Sequence, residues 1–291
     1  MNKFKGPLII IGMHRSGTSM LSRVLEDLGI FMGIKKDENN EALFFVKFNN
    51  WILRQVNASW DNPYNYKVAG ENFRNLTIDL AERYICSIKR IEYFGIKNFF
   101  KYKSLKELDF PWGWKDPRNT FTLDVWSKIF PNAKILHIYR NPIDVAVSLK
   151  KRREKCLEKF HWSIKKEIKF VLLRGYLGCD CLSPKFRDLM EGISLWEEYI
   201  SRVFEIEETY DLDIIHIKYE DLLEIPKKNI VNILGEINLL NTVRESDIDN
   251  TVNGLNKGRR YAFLGNDYLG NIYEHIRTKN LMRKLGYDNI R

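Results

Sequence analysis

Short, wholly apolar runs alternate along the chain with longer stretches in which apolar side chains recur every three or four residues. Pro7-Leu8-Ile9-Ile10-Ile11 predicts a strand over 8–12, and helical spacing follows over 17–29, where Gly29 is placed to close the helix. Residues 41–57 read as a helix with Leu43, Phe44, Val46, Trp51, Ile52 and Leu53 turned inward. A longer amphipathic helix over 71–94 carries Leu76, Leu80, Tyr84, Ile88 and Ile91 on one face. Phe110 to Lys115 predicts a short strand and Thr120 to Ile129 a helix, before a buried strand at 134–139 behind the turn Pro131-Asn132. Helices at 142–155, 162–177 and 190–210 and a strand from Asp213 to Tyr219 follow, and the remainder is mainly helical. Strands separated by helices predict an α/β fold, a three-layer αβα arrangement on a central parallel sheet with right-handed crossovers. No linker, repeat or low-complexity break interrupts the pattern, so residues 1–291 read as a single domain.

Composition narrows the class. Hydrophobic residues at 44% and charged residues at 29% suit a globular chain, and no apolar run reaches the ~18 residues of a membrane span. Met1-Asn2-Lys3-Phe4-Lys5-Gly6 leads straight into the first strand, without a signal peptide, so a cytoplasmic location is expected. The net charge is +9, but 38 acidic residues are mixed among 47 basic ones and no basic tail is present, which argues against a nucleic-acid partner. The densest basic run, Lys150-Lys151-Arg152-Arg153 followed by Lys155, Lys159, Lys165, Lys166 and Lys169, reads as a solvated helix face or as steering for an anionic substrate. Cys86, Cys156, Cys179 and Cys181 lack zinc spacing, and Cys179-Asp180-Cys181 reads as buried or incidental thiols or else as a redox pair.

The first strand ends in Gly12-Met13-His14-Arg15-Ser16-Gly17-Thr18-Ser19, and a helix follows. Strand, glycine-containing turn and helix start make a phosphate cradle: the first helical N–H groups lack carbonyl partners, and the dipole adds positive charge there. Gly12 and Gly17 have the spacing of a nucleotide-binding P-loop, and Ser19 occupies its hydroxyl position, but Thr18 stands where that loop carries lysine. Arg15 supplies a cation instead. The strand at 134–139 runs into Arg140-Asn141-Pro142 and a helix bearing Ser148, where a nucleotide hydrolase would end the strand with a magnesium-binding Asp. Arg140 and Ser148 are candidates to clamp a second phosphate.

These two motifs resemble the phosphosulfate loop and the 3′-phosphate motif of sulfotransferases that use 3′-phosphoadenosine 5′-phosphosulfate. Trp114-Lys115-Asp116-Pro117-Arg118, Lys218-Tyr219-Glu220-Asp221-Leu222 and Leu285-Gly286-Tyr287 extend the likeness, and Arg15 aligns it with the bacterial, carbohydrate and tyrosyl-protein branch. The resemblance implies a P-loop-like phosphosulfate loop, no metal, and in-line transfer of a sulfuryl group to a hydroxyl or amine, in a bacterial cytoplasm. It implies cosubstrate contacts from Arg15, Ser16, Gly17, Thr18, Ser19, Arg140 and Ser148. Lys115 would face the sulfuryl group, or else pair with Asp116, and Arg118 would be structural or bind acceptor. Glu41 is expected as the general base, or as an acid opening its helix; His14 is the next candidate, followed by Asp37 and Glu38. Lys257-Gly258-Arg259 loosely resembles a basic segment that binds the 3′-phosphate. Trp112 and Trp114 read as core. The acceptor stays open among glycan, lipid-linked sugar, peptide and small metabolite, and aromatics from Trp51 to Tyr66 could stack on a sugar. The alternative is a nucleotide-dependent kinase with a degenerate Walker A loop.

Overall fold

The computed structural model describes residues 6–158 and 183–290. These fall into two compact units, Met1–Arg140 with Glu198–Ala262, and Asn141–Glu197 with Phe263–Arg291. In the first unit β1 (Leu8–Ile11), β2 (Gly113–Lys115), β3 (Lys134–Tyr139) and β4 (Ile214–Lys218) form one parallel sheet in the order β2-β1-β3-β4. Register pairs Ile10 with Lys115, Ile11 with His137 and Tyr139 with Lys218. All four residues of β1 are fully buried, which is why its sequence is apolar throughout rather than alternating.

Helices flank the sheet. Behind β1, α1 (Thr18–Asp27) packs Leu21, Val24 and Leu25 against Leu8, Ile10, Leu136 and Ile138, together with Leu222, Leu234 and Ile230 from near the end of the unit. Gly29 takes φ +86° and ends α1: its N–H reaches the Glu26 carbonyl and that of Ile30 the Leu25 carbonyl. Next comes α2 (Leu43–Gln55), which begins two residues past Glu41, because Ala42 is extended. Its inward face is Phe44, Phe45, Phe48, Asn49, Ile52 and Leu53; Trp51, expected inward, is 38% exposed. Phe45 stacks on Trp114 with ring centroids 3.8 Å apart, and Trp112, Trp114 and Trp126 are buried in the same aromatic cluster.

The long helix expected over 71–94 is not continuous. After a single turn α3 (Tyr64–Lys67), it divides into α4 (Glu71–Cys86) and α5 (Ile91–Lys101), because Ser87 is extended. The buried face of α4 is Thr77, Ala81 and Ile85, while Leu76 is 57% and Ile88 71% exposed. This face of α4 neighbours α6 (Asn119–Ile129), and Tyr84 of the expected stripe stacks on Phe44 and Phe48.

In the second unit α7 (Pro142–Glu158) opens at Pro142. Asn141 caps it reciprocally: its Oδ1 accepts the Asp144 N–H at 2.9 Å and its Nδ2 donates to Asp144 Oδ2 at 2.8 Å. The helix expected over 190–210 is α8 (Leu189–Tyr210), whose residues to Glu197 belong to the second unit and the rest to the first; within the second, Gly192 meets Ala146 so closely that an added Cβ would lie 3.0 Å from the alanine methyl. Cys86 is an exposed free thiol, and Cys156 is disulfide-bonded. The expected helix over 162–177, the basic positions from Lys159 to Lys169, and Cys179 and Cys181 lie outside the described residues. Among the described residues no helix is long and apolar enough to cross a membrane.

Candidate functional site

The site is built in the first unit at the carboxyl ends of the parallel strands, where open α/β sheets bind ligands. Residues 12–17 leave β1, Lys115 ends β2, Arg140 follows β3 and Tyr219 follows β4.

The turn after β1 is shaped by three left-handed residues, Gly12 (φ +133°), Arg15 (φ +72°) and Gly17 (φ +103°). A Cβ at Gly12 would sit 2.2 Å from the Ile138 carbonyl oxygen, and one at Gly17 would sit 2.4 Å from the Tyr219 ring, so both positions need glycine. Gly12 N–H donates to Thr120 Oγ1 at 3.1 Å. The Ser16 hydroxyl lies 2.7 Å from the Met13 carbonyl oxygen and 3.0 Å from that of Ile138, and the Ser19 hydroxyl donates to the Asn39 carbonyl at 2.7 Å. Those hydroxyl protons are therefore spent inside the protein. What the loop offers an anion is its exposed Arg15 and the start of α1, where Gly17 is the N-cap and no side chain caps the helix.

Glu41 is brought into this region by a tight turn. Asp37 Oδ1 accepts the N–H of Asn39 at 2.9 Å and of Glu41 at 2.8 Å, and Asn40 takes φ +64°. The Glu41 side chain is 3% exposed, and it does not open a helix: Oε1 accepts from Lys115 Nζ at 2.9 Å and Oε2 from Arg118 Nη1 at 2.9 Å. Lys115 thus pairs with Glu41, and it is Arg118 that pairs with Asp116, at 3.0 Å. Burial alone would push the Glu41 carboxyl up; the charges of Lys115 and Arg118, with His14 behind them, outweigh it and hold the carboxyl at about 2. Burial pushes Asp116 up against the pull of Arg118. His14 is buried, with its ring edge on Trp60 at 4.4 Å between centroids.

Arg140 stands on the other side of the loop. Its guanidinium lies over the Tyr219 ring at 4.6 Å, and its Nη2 donates to the Arg259 carbonyl at 2.6 Å. The structure therefore brings the Lys257–Arg259 turn to Arg140. Tyr219 touches both neighbours, packing on Arg140 and closing against Gly17. Ser148 lies on α7 in the second unit. Of the aromatics from 51 to 66, Trp60 and Tyr66 are buried and Tyr64 is exposed.

Three of the four expected catalytic positions, His14, Glu41 and Lys115, cluster around one carboxylate, and Arg15 stays on the exposed loop. Sequence reasoning gave Arg118 no part with Glu41 and missed Asn49 and the packing role of Tyr219. Asn49 had one signal, a polar residue interrupting the apolar stripe of α2. Among the described residues no cluster of three or more metal-ligating side chains is present.

A family model described as "Sulfotransferase family" matches residues 7–239. Among solved structures, the chain is similar to a sulfotransferase from Alicyclobacillus acidocaldarius (17% identity, 95% of this chain and 96% of that one, TM-score 0.47). It is similar to the sulfotransferase domain of the Synechococcus PCC 7002 olefin synthase (16% identity, 88% and 80%, TM-score 0.45). It is also similar to a sulfotransferase from Mycobacterium tuberculosis H37Rv (16% identity, 86% and 71%, TM-score 0.43). Among curated proteins none matches.

Proposed function

The chain belongs to the sulfotransferase family, and from that premise we propose that it moves a sulfuryl group from 3′-phosphoadenosine 5′-phosphosulfate to a hydroxyl or amine of an acceptor, in line and without a metal ion. The observation that carries this reading is the buried Glu41 carboxylate bonded to Lys115 and Arg118 at the sheet's carboxyl edge. Transfer of a sulfuryl group asks little covalent chemistry of a protein. It asks for cations where charge gathers on the leaving and equatorial oxygens, and for a group that takes the acceptor's proton.

The residues divide accordingly. Arg15 and the uncapped N–H groups of α1, from Gly17 through Ser19, hold the phosphosulfate, with Ser16 shaping the loop from within. Lys115 donates toward the sulfuryl oxygens, having two N–H groups beyond the one given to Glu41. Arg140, braced by Tyr219 and Arg259, meets the 3′-phosphate. Ser148 is a further candidate for that phosphate.

Glu41 takes the acceptor proton. A carboxyl held at about 2 is a weak base, which suits a loose transition state, since the acceptor sheds its proton late, when bonding to sulfur has already made it acidic. An anion bound at Lys115 also offsets part of the positive field on Glu41 and strengthens it as a base. His14 is the second candidate.

Calorimetric titration of adenosine 3′,5′-bisphosphate without metal, against ATP with magnesium, tests the reading. Binding of the bisphosphate alone is expected. Binding of ATP alone would replace the proposal with the kinase alternative.

A further inference from the structure

Behind Glu41 lies a buried polar relay that sulfuryl transfer does not itself require. Asn49, on the inward face of α2, is fully buried and uses its whole amide. Its Oδ1 accepts from Thr122 Oγ1 at 2.9 Å and from Trp126 Nε1 at 2.8 Å; its Nδ2 donates to Asp116 Oδ2 and to Asn119 Oδ1, both at 2.8 Å. The indole N–H can only donate, so the amide oxygen must face Trp126 and the Nδ2 group must face Asp116. Asp116 turns its other oxygen, Oδ1, to the N–H and the Nη1 of Arg118, both at 3.0 Å. The same Nη1 carries a second hydrogen, and that one reaches Glu41 Oε2.

One nitrogen of Arg118 therefore bridges two carboxylates. The competing arrangement is the bidentate fork that guanidinium groups favour, with two nitrogens on both oxygens of Asp116. Asn49 Nδ2 already holds Oδ2, so a fork would have to share that oxygen with the buried amide or displace it. We propose that Asn49 and Asp116 are positioning residues: Asn49 keeps Arg118 from collapsing onto Asp116, and so holds the guanidinium against Glu41. Neither residue touches substrate. The inference rests on Glu41 being the proton acceptor for its bearing on catalysis, but the relay itself is testable without turnover. Among the described residues, the charged and titratable groups facing Glu41 are Lys115 from β2, Arg118 and Asp116 from the turn after it, His14 from the loop after β1, Asp37 through the backbone, and Tyr199 from α8.

The test is a carbon-13 titration of glutamate-labelled protein, with the Glu41 carboxyl assigned from Glu41→Gln. In Asn49→Ala, Arg118 swings to Asp116 and Glu41 keeps Lys115, with His14 behind it, so its carboxyl moves by about one pH unit or more toward the ordinary range. In Trp126→Phe, which leaves both Nδ2 bonds of Asn49 in place, it does not move. Affinity for adenosine 3′,5′-bisphosphate stays within about threefold of wild type in both, since neither residue contacts the ligand. A folded Asn49→Ala protein whose Glu41 titrates like wild type overturns the proposal. If that variant does not fold, nitrogen-15 spectra of the wild-type arginine side chains decide: Arg118 Nη signals resolved and protected from exchange support the bridge, and averaged signals overturn it. Failure of the wild type to bind the bisphosphate would defeat the sulfotransferase reading while leaving the titration to judge the relay.

Discussion

Replacing Glu41 by Gln leaves Lys115 and Arg118, which are 1% and 2% exposed, facing a neutral amide. Two routes give the size of the effect. The carboxyl falls from an ordinary 4.5 to about 2, and at about 1.4 kcal/mol per pH unit that is about 3 kcal/mol of stability. Removing one partner of a buried ion pair typically costs about 3–5 kcal/mol. The two agree, so Glu41→Gln should lose about 3 kcal/mol at pH 7, or roughly 6–12 °C in Tm for a chain of this size. The pH dependence has a fixed sign. A carboxyl depressed on folding stabilises fully above about 4.5 and loses that contribution as pH falls toward 2. The gap between wild type and Glu41→Gln in urea unfolding should therefore narrow from pH 7 to pH 3. Adenosine 3′,5′-bisphosphate should raise the Tm of the variant more than that of the wild type, because its charge replaces the missing carboxylate. A gap below about 0.5 kcal/mol, or one that stays constant with pH, would refute the argument that the cations hold this carboxyl down.

Other outcomes follow from the same geometry. Arg140→Ala removes a charge-assisted contact worth about 1.5–3 kcal/mol, so calorimetry should show bisphosphate affinity falling by roughly 10- to 150-fold. Gly17→Ala forces a methyl toward Tyr219 at a φ of +103° and should cost more than about 1 kcal/mol in thermal unfolding. His137 is fully buried in β3, with Nδ1 3.0 Å from His216 Nδ1, and burial, aided by His216, pushes its pKa well below the ordinary 6.5. The unfolded chain then binds the extra proton, so wild-type stability should fall as pH drops below about 6.5 while His137→Leu flattens that slope; identical urea midpoints against pH in the two proteins would count against it.

The strands and loops that frame the site were legible because their chemistry is local. An apolar run names β1, the residues 134–139 match β3 end to end, and glycines at 12 and 17 announce a turn whose backbone only glycine accepts. The contacts inside the site were not legible. Glu41 meets Lys115 and Arg118 across 74 and 77 positions of chain, and no spacing rule reaches that far. The motif residues were visible in Lys115-Asp116-Pro117-Arg118, yet which cation takes which carboxylate depends on the turn that Asp37 organises around Glu41. The Ser16 and Ser19 hydroxyls were visible as candidates, but their bonds to the carbonyls of Ile138 and Asn39 were not. On α4 Leu76 turned outward and Thr77, Ala81 and Ile85 inward, while Tyr84 stacks on Phe44 and Phe48, a packing across chain positions that periodicity does not carry.

The strand order also sets a length. β1 lies between β2 and β3, so Lys115 and Arg140 are carried by strands two spacings apart, roughly 10 Å across the sheet. A sheet is a stiff ruler. On the proposed assignment of Lys115 and Arg140 to the donor, one with a single anionic group would span only one of the two cations, and one with a shorter gap between its groups would forfeit a contact. Substitutions in the loops can alter how tightly each end is gripped. Changing the gap itself would require a strand gained or lost between β2 and β3, so under the proposed contacts donor length would be among the properties least open to gradual change.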